Sequence, residues 1–282
     1  MSAPTPDPDV LSAWAASLQA TLKDGSRRDD LRQRLLARVA DSARAHADYR
    51  TVRREASAWQ DLDGGVRLRS LRCDDAERVD LVELSDGAAL PATAEGVAVE
   101  WLITQGSLVD GLAQRAAPTW SHAVWGAGPQ PAAWQARGPT TLYRRLLRQP
   151  PQRLPAAESR WWRARLAAAD DALVPTGGWR LPGRWVDSRA GVQVLPLAVH
   201  GHVVSMLVRF EAGAGVPDHG HEIGEDCLVL EGEMFLGDIL LRAGDYQLAP
   251  AGGGHFGETS DVGVLFFFHG ALDEALRSPA RP

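Results

Sequence analysis

Lysine is almost missing from this chain: Lys23 is the only one in 282 residues, and every other basic side chain is arginine. That bias reflects a GC-rich coding sequence rather than arginine-specific chemistry. Cysteine is nearly as scarce. Cys73 and Cys227 lie far apart and in no zinc-type spacing, which argues against a disulfide framework. Cys227, inside the run CLVL, reads as a small core residue. Long apolar runs are absent too: the longest, Gly263 to Phe268, falls far short of the roughly 20 residues that span a bilayer as a helix. The opening MSAPTPDPDV is acidic and proline-rich and lacks the charged-then-apolar pattern of a secretory leader. A cytoplasmic protein without membrane contact is the expectation.

What is present is a chain 45% hydrophobic, long enough to bury a substantial core as one large domain or two small ones. Formal net charge is -6, which argues against direct nucleic-acid binding. The charge is uneven: residues 1–57 carry +2, 58–140 carry -5, 141–190 carry +6 and 191–282 carry -9. The basic stretch Arg144 to Arg189 reads as a solvated arm lying against the acidic C-terminal part rather than as a nucleic-acid contact.

Shifted by 126 positions, the sequence matches itself without a gap. Trp59 falls on Trp185, Gly65-Val66 on Gly191-Val192, Leu81-Val82 on Leu207-Val208, Pro91 on Pro217 and Gly106 on Gly232. Turn glycines, a proline and alternating apolar residues are what a repeated strand-turn scaffold must keep. Two copies of one β unit follow, over residues 56–140 and 184–270. Outside them, residues 8–22 and 29–50 read as helices. In the second, Leu31, Leu35, Leu36, Val39 and Ala43 share one face, with Asp29 and Asp30 as capping residues. That face either packs on the first β unit or meets a partner. Between the copies, a proline-rich linker leads into a helix over 156–173, on which Trp161 and Trp162 anchor a docked arm.

Only the second copy carries a full set of metal-binding residues at the repeated positions. His219 and His221 are two apart, so on a strand both imidazoles project to one side. Glu225 lies an even number beyond, after Gly224, and His255 follows the turn Pro250-Ala251-Gly252-Gly253-Gly254. Three imidazoles and a carboxylate suit one divalent ion, with Zn, Fe, Mn and Ni all compatible. The first copy has Thr93, Glu95, Val99 and Pro129 at the matching positions and no such set.

Gly213, His219, His221, Glu225 and Gly232, followed by Gly244, Pro250, Gly252 and His255, resemble the two motifs of the cupin superfamily. Thr259 stands where the superfamily usually has Asn. The phrase HGHEIGEDCLVLEGEMFLGDILLRAGDY is most similar to the ChrR-type cupins found in anti-sigma factors. The resemblance implies a mainly β fold with two jelly-roll β-barrels, a metal inside the second, an N-terminal helical extension and a helical inter-domain arm. The implied division is 1–55 helical extension, 56–140 degenerate metal-free cupin, 141–183 arm with helix, and 184–274 metal-binding cupin.

By the same resemblance, the protein is a bacterial bicupin regulator. The N-terminal helices would bind a transcription partner such as an ECF-type sigma factor, and the second cupin would take a small-molecule ligand. A homodimer is compatible with this. ChrR-type anti-sigma factors hold a zinc in their helical domain with a His-x3-Cys-x2-Cys run; residues 1–57 have no cysteine and only His46, so a partner would be bound without that zinc. The alternative is a mononuclear-metal oxygenase acting on a small carbonyl or enol substrate, with Tyr246, Glu258 and Phe268 as pocket residues by motif position. A metal that only staples the barrel is a third reading.

Overall fold

The computed structural model describes residues 12, 25–94, 96–111, 116–125, 134–148, 179–180, 185–200 and 203–271. Apart from Ser12, the helices expected over 8–22 and 156–173, with Trp161 and Trp162, lie outside the described residues. The chain divides into two compact units, Met1–Asp48 and Tyr49–Pro282. Among the described residues, no helix is long and apolar enough to cross a membrane.

The first unit contains α1 (Gly25–Ala45). The helix starts earlier and stops earlier than its periodicity predicts. Asp29 and Asp30 therefore lie in the second turn, not at the cap, and Asp30 pairs along the helix with Arg34 at 3.7 Å. Past Ala45 the backbone closes a turn, His46 N–H donating to Ser42 C=O at 3.1 Å. From Arg50 it is extended, because pairing into a sheet overrides local helix preference. Leu31, Leu35, Leu36 and Val39 are all exposed.

The second unit is built almost wholly of strands. Its first half runs β1 (Arg50–Val52), β2 (Gln60–Leu62), β3 (Val66–Cys73), β4 (Glu77–Leu84), β5 (Ala98–Gln105), β6 (Ser107–Asp110), β7 (Ala116–Pro118), β8 (His122–Trp125), β9 (Trp134–Ala136), β10 (Thr140–Leu147) and β11 (Trp179–Arg180). Its second half runs β12 (Val186–Arg189), β13 (Val192–His200), β14 (Val203–Phe210), β15 (Ala214–Gly215), β16 (His219–Gly220), β17 (Glu225–Leu236), β18 (Ile239–Arg242), β19 (Tyr246–Ala249), β20 (Gly254–His255), β21 (Thr259–Ser260) and β22 (Val264–Ala271).

Two large antiparallel sheets have orders β2-β3-β4-β10-β5-β8-β11 and β12-β13-β14-β22-β17-β19-β1. Position by position these are the same sheet. β3 and β13 begin at Val66 and Val192, and β4 and β14 run over Glu77–Leu84 and Val203–Phe210, all at the sequence offset of 126. Even the register shifts repeat, between Ser70/Arg72 and between Pro196/Ala198. A bulge bends its strand, so both copies bend at one place. The seventh strand of each sheet comes from elsewhere in the chain. β1 precedes the first copy yet pairs with β19 of the second, and β11 precedes the second copy yet pairs with β8 of the first.

The sheets pack back to back. Leu71, Leu81, Leu102 and Tyr143 from one meet Leu195, Leu207, Tyr246 and Phe267 from the other. Each sheet's opposite face lines the interior of its own copy. A strand covered on both sides needs no alternation, which is why Val264–Ala271 is buried throughout. This arrangement corrects the sequence reading of residues 141–147. They are not an arm but the central strand β10, between β4 and β5. Arg144 and Arg145 are accordingly buried, not solvated: Arg144 bonds Asp80 at 3.1 Å, and Arg145 forks onto Asp226 of the other sheet at 2.7 and 2.6 Å. Charges deep in a sheet persist because each has its partner in place.

Candidate metal centre

The short strands β16 and β20 pair antiparallel with His219 directly opposite His255. Cross-strand neighbours of this kind hold their side chains within contact distance, and the two rings lie 5.3 Å apart between centroids. Glu225, the first residue of β17, is buried beneath them, its carboxylate 3.8 Å from His255 Nε2. One ligand atom from each of His219, Glu225 and His255 falls within 4.8 Å of the others. Metal–donor bonds of about 2.0–2.2 Å put two donors on one ion at most about 4.4 Å apart, so small side-chain adjustments let all three share an ion.

His221 stands outside that trio. β16 ends at Gly220, so His221 follows the strand rather than continuing it, and the chain then bends through residues 222–223. Backbone bonds hold His221 against the turn, its N–H on Gly253 C=O at 3.1 Å and its C=O on Gly252 N–H at 2.9 Å. Its ring is still adjacent, 5.2 Å from that of His255. His219 and His221 share one further feature. The Nδ1 of each lies 2.9 Å from a backbone carbonyl, Pro217 for His219 and Ile223 for His221. A carbonyl can only accept, so Nδ1 carries the proton and Nε2 keeps the lone pair a metal needs.

The trio opens onto a cavity of about 30 Å³, walled by Val208, Met234, Phe266 and Phe268. Of the pocket residues expected from motif position, Glu258 and Phe268 line it. Tyr246 does not: neighbouring residues on β19 face opposite ways, so Gln247 reaches the cavity and Tyr246 the packing between the sheets. Cys227 is on the cavity wall, and burial pushes its thiol well above the ordinary range, with Glu258 and Asp226 adding to the shift. That burial favours the neutral thiol.

The first copy differs in the residues that would leave such a space open. Trp101 and Trp134 pack edge to face inside it, ring centroids 5.6 Å apart. At the offset of 126 the second copy has Cys227 and Ser260 in their places.

Two contributors have no simple sequence signal. Tyr49 sits in what reads as a helix, yet its hydroxyl donates to Gly254 C=O at 2.6 Å and accepts from Gly254 N–H at 2.9 Å. Gly270 leaves room for Glu225: a Cβ there would fall 2.7 Å from Glu225 Cγ. A glycine inside a strand is the one hint, marking close approach of another group.

Residues 182–273 match the family model described as the ChrR cupin-like domain. No curated protein matches the chain. Among solved structures, the chain is similar to AerE from Microcystis aeruginosa, at TM-score 0.55 and 14% identity over 77% of this chain and 97% of that one. It is also similar to oxalate decarboxylase from Bacillus subtilis, at TM-score 0.53 and 16% identity over 79% of this chain and 76% of that one. At such identities the likeness is one of fold: mostly β, with cupin-like sheets.

Proposed function

Starting from a C-terminal third that is a ChrR cupin-like domain, we propose that the protein is a metal-dependent transcriptional regulator of the anti-sigma type. In this reading His219, Glu225 and His255 hold one divalent ion, with His221 close enough to join them. The second barrel then senses a small molecule, a metal or an oxidative signal. The first copy is a degenerate cupin that supports it, and the N-terminal helices bind an ECF-type sigma factor.

The observation that carries the reading is the convergence of His219, Glu225 and His255 inside the ChrR-like segment. The donor set fits: imidazoles, with the His219 proton directed to a carbonyl from Nδ1, and a buried carboxylate suit Zn, Fe, Mn or Ni. When bound, the ion supplies coordination positions to which a small ligand or an oxidant attaches. The chain's own residues orient the donors and screen them with apolar walls. The exposed stripe Leu31, Leu35, Leu36 and Val39 on α1 supports the partner role, since a large apolar stripe left open on a helix marks an interaction face.

Two measurements test this together. Metal analysis of the purified full chain is expected to find a single equivalent of a divalent ion, lost in His219→Ala. Co-expression with ECF-type sigma factors from the same genome is expected to yield a complex identified by mass, lost in Leu35→Asp. Failure of the full chain to retain any sigma factor sinks the regulator reading.

A second reading, a mononuclear-metal oxygenase on a small carbonyl or enol substrate, rests on the cavity beside the trio, with Glu258 and Phe268 on its wall. Oxygen uptake by the iron-loaded chain above a free-iron control, across a panel of β-dicarbonyls, would move the assignment there.

A further inference from the structure

The segment that begins the second unit is fastened directly onto the metal loop. β1 lies along β19, with Arg50 opposite Leu248, Thr51 opposite Gln247 and Val52 opposite Tyr246. At the leading end, the Tyr49 hydroxyl holds both polar groups of the Gly254 backbone, one residue before His255. Its ring stands edge-on to the His255 ring at 6.4 Å. The fit is close: a Cβ on Gly253 would come within 2.9 Å of the same hydroxyl. In the middle, Gln247 Nε2 donates to Thr51 Oγ1 at 3.0 Å, and Gln247 is part of the cavity wall. At the trailing end, Arg54 N–H donates to Asp245 at 2.8 Å and the Arg53 guanidinium to the same carboxylate at 3.0 Å. Arg69 of β3 donates to Arg53 C=O at 2.8 Å, tying the segment to the first copy as well.

From this we infer that Tyr49 is a positioning residue for His255, and that the strap Tyr49–Arg54 couples occupancy of the metal centre to the attachment point of the N-terminal unit. The inference rests on the metal-binding reading proposed above. Any rearrangement that moves His255 carries Gly254 with it, and Gly254 is bonded to Tyr49. Tyr49 is also the first residue of the second unit, next in the chain to Asp48 of the first. A strap held firmly when the loop is ordered, and loosened when it is not, is a two-state element that both sites bias. Coupling of this kind is reciprocal: if the ion tightens the strap, the strap tightens the ion by the same factor.

The test uses the full chain, with Zn2+ as probe, and two readouts. In the first, Zn2+ affinity is measured by competition with a chelating dye for the native protein and for Tyr49→Phe, which keeps the ring and removes only the hydroxyl. In the second, amide hydrogen exchange is followed over residues 49–54 with Zn2+ and with EDTA. Zn2+ is expected to slow exchange across the strap, and Tyr49→Phe to bind Zn2+ about tenfold more weakly, through the loss of both hydrogen bonds to Gly254. His219→Ala, which does not touch the strap, should show the exchange of the EDTA-treated native chain without any chelator. Equal affinity in Tyr49→Phe, or identical strap exchange with and without Zn2+, would overturn the inference while leaving the metal reading intact. A folded chain that takes up no Zn2+ overturns both.

Discussion

Gly270 stands on β22 beside the buried Glu225, where an added Cβ would meet Glu225 Cγ at 2.7 Å, Phe268 Cζ at 2.9 Å and Glu225 Cβ at 3.0 Å. Such contacts force something to shift, and the carboxylate is the group with somewhere to go. Gly270→Ala is expected to cost about 1–3 kcal/mol of stability, as overpacking in a core does, and to weaken divalent-metal binding by displacing Glu225. A thermal melt and a metal titration of the same sample check the two effects. At this scale His219, Glu225 and His255 were legible in the sequence, because turn glycines and Pro250 bracket them at fixed spacing. His221 and Tyr246 were only half legible. Alternation tells which residues share a face while a strand lasts, and says nothing once it ends, as at Gly220. Nor does it tell which of two buried faces looks into the cavity, as with Tyr246 and Gln247 on β19. Tyr49 acts on a glycine 205 positions away, and no local pattern encodes that.

Among the elements, α1 and β10 mark two limits of periodicity. The apolar stripe of α1 was read correctly as a stripe, but its ends were not, since Arg50 to Val52 are taken by β19. The Arg-rich run at Arg144-Arg145 looked like solvated charge, yet the strand bearing it runs through the middle of a sheet. Its partners Asp80 and Asp226 are remote in sequence and could not be matched to it in advance. The exposure of the α1 stripe carries its own expectation. Leu35 is 55% exposed, so Leu35→Asp should change the chain's stability by less than about 1 kcal/mol, far below the cost of a charge placed in a core. Unchanged thermal midpoints for native and variant chains are the check. A large drop would mean that the stripe is part of the fold rather than a face held open.

Across the whole molecule, the two sheets meet through charges as well as apolar side chains. Glu100 and Asp226 occupy the same place in the repeat, and each contacts a residue of the other copy. Asp226 receives Arg145, while Glu100 lies 2.8 Å from His122 Nε2 and 3.3 Å from His269 Nδ1. Burial pushes the Glu100 carboxyl up, but contacts with His122 and His269 outweigh that and hold it well below the usual carboxylate range. A carboxyl depressed in the folded state stabilises the fold above its unfolded value of about 4.3, and that stabilisation fades as pH falls through the folded value. Denaturant midpoints of the native chain should therefore fall on acidification from about pH 5 downward, and the fall should be shallower in Glu100→Gln.

The trade of β1 and β11 between the halves bears on how the protein can be cut. A fragment ending near residue 148 takes β1 away from β19 and leaves β8 without β11; a fragment starting near residue 185 suffers the mirror-image loss. Each severed piece would bare a row of backbone amides and carbonyls along a β margin, the kind of surface that recruits other chains and clumps. The halves that repeat in the sequence are thus not the modules to express separately. The second unit is held together by its two exchanged strands and must be handled in one piece.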